Sequence, residues 1–363
     1  MKLRLCLLSL LLSAFGRAQE SSVWIAGSGG LYHAEFDSTS GSIRLPTLAV
    51  AYGSGSWLEY HPRLPIIYSS WRETEGAGLI ALQIGETGAA TIIDRLALPQ
   101  SAPAHFGLSP DGTMLAAAHY GGQTTTLVTL NPDGSFGEVA QEFQHEGSGP
   151  HSVQTQARPH WAGFNDAGTV LHVTDLGSDK IWSFDVTGGP NAALSLRAKT
   201  QLPPGSGPRH LAFSHDRRFA YVSDELSHHV SVFSYEDATA VFTPIQHIDA
   251  APADLDEMTN NVSEILVHPS GRFVYTGNRG HDSIAVFAVD ATTGRLTAVE
   301  REPSRGVWPR NFNFSPDGQW MLVAGQVSGT VAVFAIDSAT GALRYNRQII
   351  NVPNPVRVLL PSP

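Results

Sequence analysis

Apolar and polar residues alternate along this chain in short runs, and after the first twenty residues almost no stretch keeps a sustained helical spacing. Runs rich in Val, Ile, Phe, Tyr and Thr recur between clusters of Gly, Asp, Asn and Pro, which predicts strands separated by tight turns. Three stretches superpose: PRHLAFSHDRRFAYVSDELSHHVSVFSYE, SEILVHPSGRFVYTGNRGHDSIAVFAVD and PRNFNFSPDGQWMLVAGQVSGTVAVFAID. Each reads as strand, tight turn, strand, short loop, strand. The turn centres near Leu64, Gly112, Gly168, Arg217, Gly271 and Gly318 lie 48, 56, 49, 54 and 47 residues apart. A period of about 50 residues with several strands per repeat predicts an all-β chain folded as a β-propeller with four-stranded blades. A second repeat, DSTSGSI (37–43), DATTGRL (290–296) and DSATGAL (337–343), marks hairpin turns between third and fourth strands, where Gly supplies the positive φ.

Counting innermost strands fixes the blade number. WLEYH (57–61), HFGLS (105–109), WAGFN (161–165), HLAFS (210–214), EILVH (264–268), NFNFS (311–315) and VRVLL (356–360) make seven. The last has no strands after it, and the N-terminal VWIAGS and GLYHAEFD have no inner partner. Pairing of the N-terminal strands with the C-terminal strand is therefore expected to complete the seventh blade, close the ring and remove an unpaired edge. Residues 19–363 are expected to form this single domain.

The opening MKLRLCLLSLLLSAFGRAQESS changes the cellular setting. A basic start at Lys2 and Arg4, an apolar run from Leu5 to Phe15 and small residues around Ala18 predict a signal peptide over 1–18, too short to span a bilayer comfortably. Cys6, the only cysteine, lies inside it, so the exported chain has no disulfide or thiol chemistry. Export without disulfides fits a bacterial envelope compartment, periplasmic or secreted. Removing Lys2, Arg4 and Arg17 from the 23 basic residues leaves 20 against 33 acidic ones, a net charge of −13. That balance argues against nucleic acid or anionic membrane as a partner. The chain is expected to act as a monomer on a small molecule. There is no P-loop and no dinucleotide fingerprint, and the 15 histidines show no metal-ligand spacing, so no cofactor and no metal are expected. The acidic loop with Asp254, Asp256 and Glu257 reads as a solvated loop before it reads as a calcium site.

Register then gathers the chemistry. In an antiparallel hairpin, residues equidistant from the turn face each other. About Arg217, Arg209 mirrors Glu225; about Gly318, Arg310 mirrors Gln326; about Gly271, Ser263 mirrors Arg279; about Gly168, His160 mirrors Gly177, with Asp175 close by. Phe164, Phe213 and Phe314 share one strand position, and four residues earlier stand His160, Arg209 and Arg310. The sequence holds Pro-His twice, and only His160 is in this register; His151 belongs to the preceding connection. In a propeller these residues converge on a central channel. Arginines can hold a carboxylate or phosphate and steady an oxyanion, while His and Glu can exchange protons. The plain alternatives are a strand-edge hydrogen bond for His160, a bracing Arg209–Glu225 salt bridge, a loop pin for Arg279 and a loop brace for Asp175.

The phrases HEGSGP, VTDLGSDKIWSFDV, GPRHLAFS, YVSDELSHHVSVF, EILVHPSGRFVYTGNRGHDSIAVFAVD and WPRNFNFSPDGQWMLVAGQ cover most of residues 145–336. They resemble the seven-bladed propeller lactonases of the 6-phosphogluconolactonase type, to which the fungal carboxy-muconate lactonising enzymes are related. The resemblance implies a catalytic group of His160, Arg209, Glu225 and Arg279, with Arg310, Gln326 and Asp175 as substrate-binding residues by register. Where the family usually shows His-x-His followed by Ser-Val, this chain has RPHWAGF, so Arg158 stands for the first His and Trp161 for the Ser. The expected activity is hydrolysis of a sugar or hydroxy-acid lactone. A non-catalytic propeller binding a protein or small ligand, and a lactone-forming cycloisomerase using the same groups in reverse, are the alternatives.

Overall fold

The computed structural model describes residues 20–85, 88–99, 101–252 and 260–361. The expected leader (1–18) and the acidic loop with Asp254, Asp256 and Glu257 lie outside them. Among the described residues five separate four-stranded antiparallel sheets follow one another along the chain, and an eight-stranded sheet joins the two ends. Two four-stranded units make up that larger sheet. In one, Leu58–Tyr60, Ile66–Glu73, Gly76–Ile84 and Ala90–Ala97 pair in order. In the other, the long strand Glu20–Asp37 pairs through Trp24, Ile25 and Ala26 with Arg357–Leu359, through residues 28–33 with Thr47–Ser54, and through Phe36 and Asp37 with Ser42–Ile43. A short parallel contact between Gly53/Ser54 and Arg72 links the two units. The architecture is a seven-bladed β-propeller.

Burial explains the hydrophobic pattern. The second strand of a unit is covered on both faces: Met114–His119, Phe219–Asp224 and Phe273–Arg279 are buried at every position. Their sequences are accordingly near-continuous apolar runs, whereas the outermost strand Ala90–Ala97 alternates. Aromatic side chains fill the gap between neighbouring units, as where Phe273 and Tyr275 meet Phe312, Phe314 and Phe334. The repeated hairpin turns also dock between units. Asp37, Asp290 and Asp337 accept backbone N–H bonds within their turns. Gly41, Gly294 and Gly341 take φ of +69°, +71° and +77°. A Cβ on any of them would fall 2.3–2.5 Å from Trp320, Phe219 or Phe273 of the preceding unit. Both the backbone conformation and the close ring therefore require glycine.

One buried titratable residue in this frame gives a stability prediction. His172 is fully buried, bonded through Nδ1 to Ser183 Oγ and through Nε2 to Tyr235 OH, both at 2.9 Å. Burial, reinforced by Arg217 and Arg197, pushes its imidazole down to about 3. Because the folded value lies below the unfolded one near 6.5, its neutral form stabilises the fold above that pH, and the contribution is lost as pH falls toward 3. His172→Gln keeps the bridging capacity without the titration. The unfolding free energy of the variant relative to wild type should therefore improve by about 1.4 kcal/mol per pH unit below 6.5. Urea unfolding at pH 7 and pH 5 measures it, and an unchanged difference would refute the assignment.

Candidate active site

Innermost strands carry a β-bulge near their start in four consecutive units. Pairing skips between Pro159 and Trp161, Pro208 and His210, Val262 and Ile265, and Pro309 and Asn311. A bulge inserts one unpaired residue and re-aims its side chain. His160, Arg209 and Arg310 are those inserted residues, which is the physical reason they share a register. The mirror pairing expected from turn symmetry is displaced accordingly. The ladder pairs Pro159 with Asp175 and Pro208 with Asp224, and Asn261 opposes Arg279. The bulges are tied to neighbouring units: Thr174 Oγ1 donates to Arg209 O at 2.6 Å, Ser223 Oγ to Ser263 O at 2.9 Å and Ser263 Oγ to Pro309 O at 2.6 Å.

A second seat lies where the neighbouring strand ends. Aligning the second strands puts Arg72, Tyr120, Leu176, Glu225, Arg279 and Gln326 at equivalent positions. A cavity of about 400 Å³ collects residues from both seats: His160 and Arg310 from the bulges, Arg72, Tyr120, Glu225 and Arg279 from the strand ends. Arg209, 2% exposed, joins them through Glu225. Arg72 and Tyr120 escaped sequence reasoning because the N-terminal third matches the repeat less closely; the shared strand-end position is the signal that marks them.

Glu225 is the electrostatic centre. Its Oε2 lies 2.9 Å from Arg209 Nε and 2.7 Å from Arg279 Nη2. Both are ion-pair contacts rather than aligned hydrogen bonds, since Arg209 Nε, Arg209 Nη1 and Glu225 Oε2 each find no aligned partner. Arg279 is further fixed by Val262 O at 3.1 Å and Asn261 O at 3.3 Å, and lies over the Trp308 ring. Burial alone would push the Glu225 carboxyl up, but Arg279 and Arg209 outweigh it and hold it below the ordinary carboxylate range. Burial and the neighbouring Arg279 bring the Arg209 guanidinium down to about 9 and that of Arg310 to about 10, so both stay charged at neutral pH. Burial, then Arg209, His210, Arg310 and Arg279, push the His160 imidazole well below 6.5. His160 is therefore neutral, 6% exposed, edge-on to Tyr120 at 5.6 Å. Its Nδ1 is buried without a hydrogen-bond partner, which leaves Nε2 as the cavity-facing nitrogen.

Two expected substrate-binding residues are not brought to this cavity. Asp175 is fully buried, and its oxygens accept from Arg158 N (2.6 Å), Gly177 N (3.0 Å), Ser178 N (3.2 Å) and Ser178 Oγ (2.5 Å). It braces its own turn, whereas the equivalent Asp224 ties the third and fourth strands of its unit through Ser231 and His247. Gln326 is half-buried, bonds through its backbone to Trp308 O, and is absent from the cavity wall. His151 is exposed and caps a local turn, in line with its place outside the register.

Behind the cavity lies a layer of seven side chains, one from each unit: Trp57, His105, Trp161, His210, Glu264, Asn311 and Arg357. They meet across the axis. The Trp57 ring is 4.0 Å from His105 and 5.4 Å from His210, and His105 is 5.3 Å from His210. Arg357 lies 3.8 Å over Trp57, and its Nη1 is 3.6 Å from Glu264 Oε2. On the far side opens a larger cavity of about 680 Å³, walled by Glu59, Phe164 and, from this layer, Trp57, His105, Trp161, Glu264 and Arg357. The smaller cavity is the better active-site candidate despite its size, because the arginine cluster, the paired carboxylate and the neutral imidazole converge there. Among the described residues no group of three metal-ligating side chains comes together, and no helix is long and apolar enough to cross a membrane.

Comparison with known proteins decides the family. The profile described as Lactonase, 7-bladed beta-propeller, matches residues 15–360. The chain belongs to the seven-bladed β-propeller lactonases. A 6-phosphogluconolactonase from Bacillus subtilis is 33% identical over 291 residues, 80% of this chain and 82% of that protein. Among solved structures, the periplasmic gluconolactonase of Pseudomonas aeruginosa superposes with a TM-score of 0.88 at 29% identity, covering 94% of this chain and 99% of that one. A putative 6-phosphogluconolactonase from Bacteroides fragilis does so with a TM-score of 0.87 at 28% identity, covering 94% and 98%. As a family member the protein is a lactonase and acts on a small lactone.

Proposed function

We propose that the protein is an exported hydrolase that opens a sugar or hydroxy-acid lactone at the cavity between His160, Glu225, Arg279 and Arg310. The observation that carries this reading is a buried imidazole presented to a cavity where Glu225, the one carboxylate among the described lining residues, is already held by two arginines. Glu225, ionised and paired, is a poor proton donor, so proton transfer falls to His160. His160 Nε2 takes a proton from water as the oxygen attacks the lactone carbonyl. Arg279 and Arg310 stabilise the oxyanion in a site shielded from bulk water. The imidazolium then returns the proton to the departing ring oxygen, giving the open hydroxy acid. Glu225 keeps Arg209 and Arg279 in place and lowers the cost of clustering cations.

The leader supports export, and the phosphorylated lactone is a cytosolic compound, so a non-phosphorylated sugar lactone is the favoured substrate. Likeness to a periplasmic gluconolactonase supports the same choice. Purified protein should accelerate opening of gluconolactone over its spontaneous rate. In the Arg310→Met variant, KM for a lactone bearing a carboxylate or phosphate should rise about tenfold, in keeping with loss of a charge-assisted contact of about 1.4 kcal/mol, with little change for a neutral lactone. No acceleration for any lactone would reject the hydrolase, and an equal KM rise for both classes would remove Arg310 from anion recognition.

A further inference from the structure

His160 has a nitrogen on each side of its ring, and only one faces the cavity. The other, Nδ1, is buried without a partner. Next to the His160 ring, with centroids 5.2 Å apart and planes at 61°, stands the ring of His210, whose Nε2 is also buried without a partner. His210 is in turn held from behind: its Nδ1 lies 2.8 Å from Glu264 Oε1. Among the described residues, every other group on the Glu264 oxygens is a donor. Ile265 N–H reaches Oε1 at 3.2 Å, Asn311 Nδ2 reaches Oε2, and Arg357 Nη1 stands 3.6 Å from Oε2. Burial pushes the Glu264 carboxyl up, but with donors on both its oxygens and Arg357 beside it Glu264 is assigned as the acceptor, and His210 Nδ1 as carrying the proton between them.

We propose that Glu264 and His210 are positioning residues that set the tautomer of His160. With Nδ1–H committed to Glu264, His210 Nε2 bears a lone pair. It accepts the Nδ1–H of His160, directly after a small ring rotation or across one water. His160 Nε2 is then left unprotonated toward the cavity, the form a base requires. When Nε2 takes up a proton, the charge is shared along Nδ1–H toward His210 and Glu264, which offsets the repulsion from Arg209, Arg279 and Arg310. Arg357 balances Glu264 in the resting state, and His105 packs edge-on against the far side of His210. The kinetic consequence rests on the hydrolase reading above; the tautomer does not.

Two measurements test it. In wild-type protein at neutral pH, 15N NMR of the histidine rings should show His160 protonated at Nδ1 and bare at Nε2. Glu264→Gln, whose carboxamide N–H can donate to His210 Nδ1, should reverse His210 and convert His160 to the Nε2–H form. In kinetics, His210→Phe should lower kcat ten- to a hundredfold with KM within twofold, an effect of about 1.4–2.7 kcal/mol. His210→Gln, which can present a carbonyl oxygen to His160, should stay within fivefold of wild type. Thermal unfolding of each variant separates these effects from loss of fold, and the NMR comparison stands if the Phe variant fails to fold. A His160 bearing Nε2–H in the wild type, or equal kcat for folded Phe and Gln variants at either level, overturns the proposal. If no variant or wild type hydrolyses any lactone, the ring spectra still decide it while the hydrolase reading alone fails.

Discussion

Replacing His160 with Ala is expected to lower kcat for lactone opening by roughly 10²- to 10⁴-fold, the range for removing a positioned general base. Substrate affinity should hold, because the arginines that bind and polarise the lactone remain in place. The bulge leaves residue 160 outside the ladder, so truncation there breaks no strand pairing. The pH profile sharpens the expectation. An ordinary imidazole would lose half its basic form near pH 6.5. In His160, burial and the surrounding arginines hold the neutral form to lower pH. The acid limb of kcat/KM should therefore fall clearly below 6.5 in wild type and disappear with His160→Ala. An acid limb at 6.5 would identify a different, exposed base, and a rate unchanged by the substitution would remove His160 from the chemistry.

Arg279→Met is expected to have the largest effect on stability. Arg279 and Glu225 are buried partners at 2.7 Å. Removing the cation leaves a carboxylate, 14% exposed, with one misaligned arginine at the wall of a cavity largely shielded from bulk water. Breaking a buried pair from one side costs about 3–5 kcal/mol. The Glu225 carboxyl, held down in wild type, should rise. In wild type its depressed value contributes stability that is present above the unfolded carboxyl range and lost as pH falls through the folded value; in the variant this contribution vanishes. Adding Glu225→Gln to Arg279→Met removes the stranded charge and should recover a large part of the lost stability, with activity still absent. Denaturant unfolding of the two singles and the double gives the coupling energy. Additive losses would mean that the pair does not couple, whatever its distance.

How much of this was legible in the sequence follows from what repeats. The roughly 50-residue period and the inner-strand count gave seven units, and the common register singled out His160, Arg209 and Arg310 without showing why. The cause is the bulge, which period-two alternation cannot reveal and which displaced the expected cross-strand partners. Asp175 and Glu225 show the other limit. TDL and SDE align, so Asp175 corresponds to Asp224, a structural brace, and Leu176 to Glu225. Following the repeat one residue further would have separated brace from site. Tyr120 and Arg72 occupy the Glu225 seat in less regular units. Glu264 carried a local signal, an acid opening the apolar run ILV. Its partners His210, Asn311 and Arg357 come from three other units, and only the assembled channel shows them meeting.

Because the inserted residues at the inner-strand bulges take no part in cross-strand pairing, their identities are decoupled from the scaffold. The same backbone offers interchangeable sockets whose occupants can be exchanged one at a time: imidazole at 160, guanidinium at 209 and 310. A library that varies only these three sites should retain the propeller while redistributing charge around a fixed reaction volume, which makes the molecule a practical chassis for new acyl-transfer specificities.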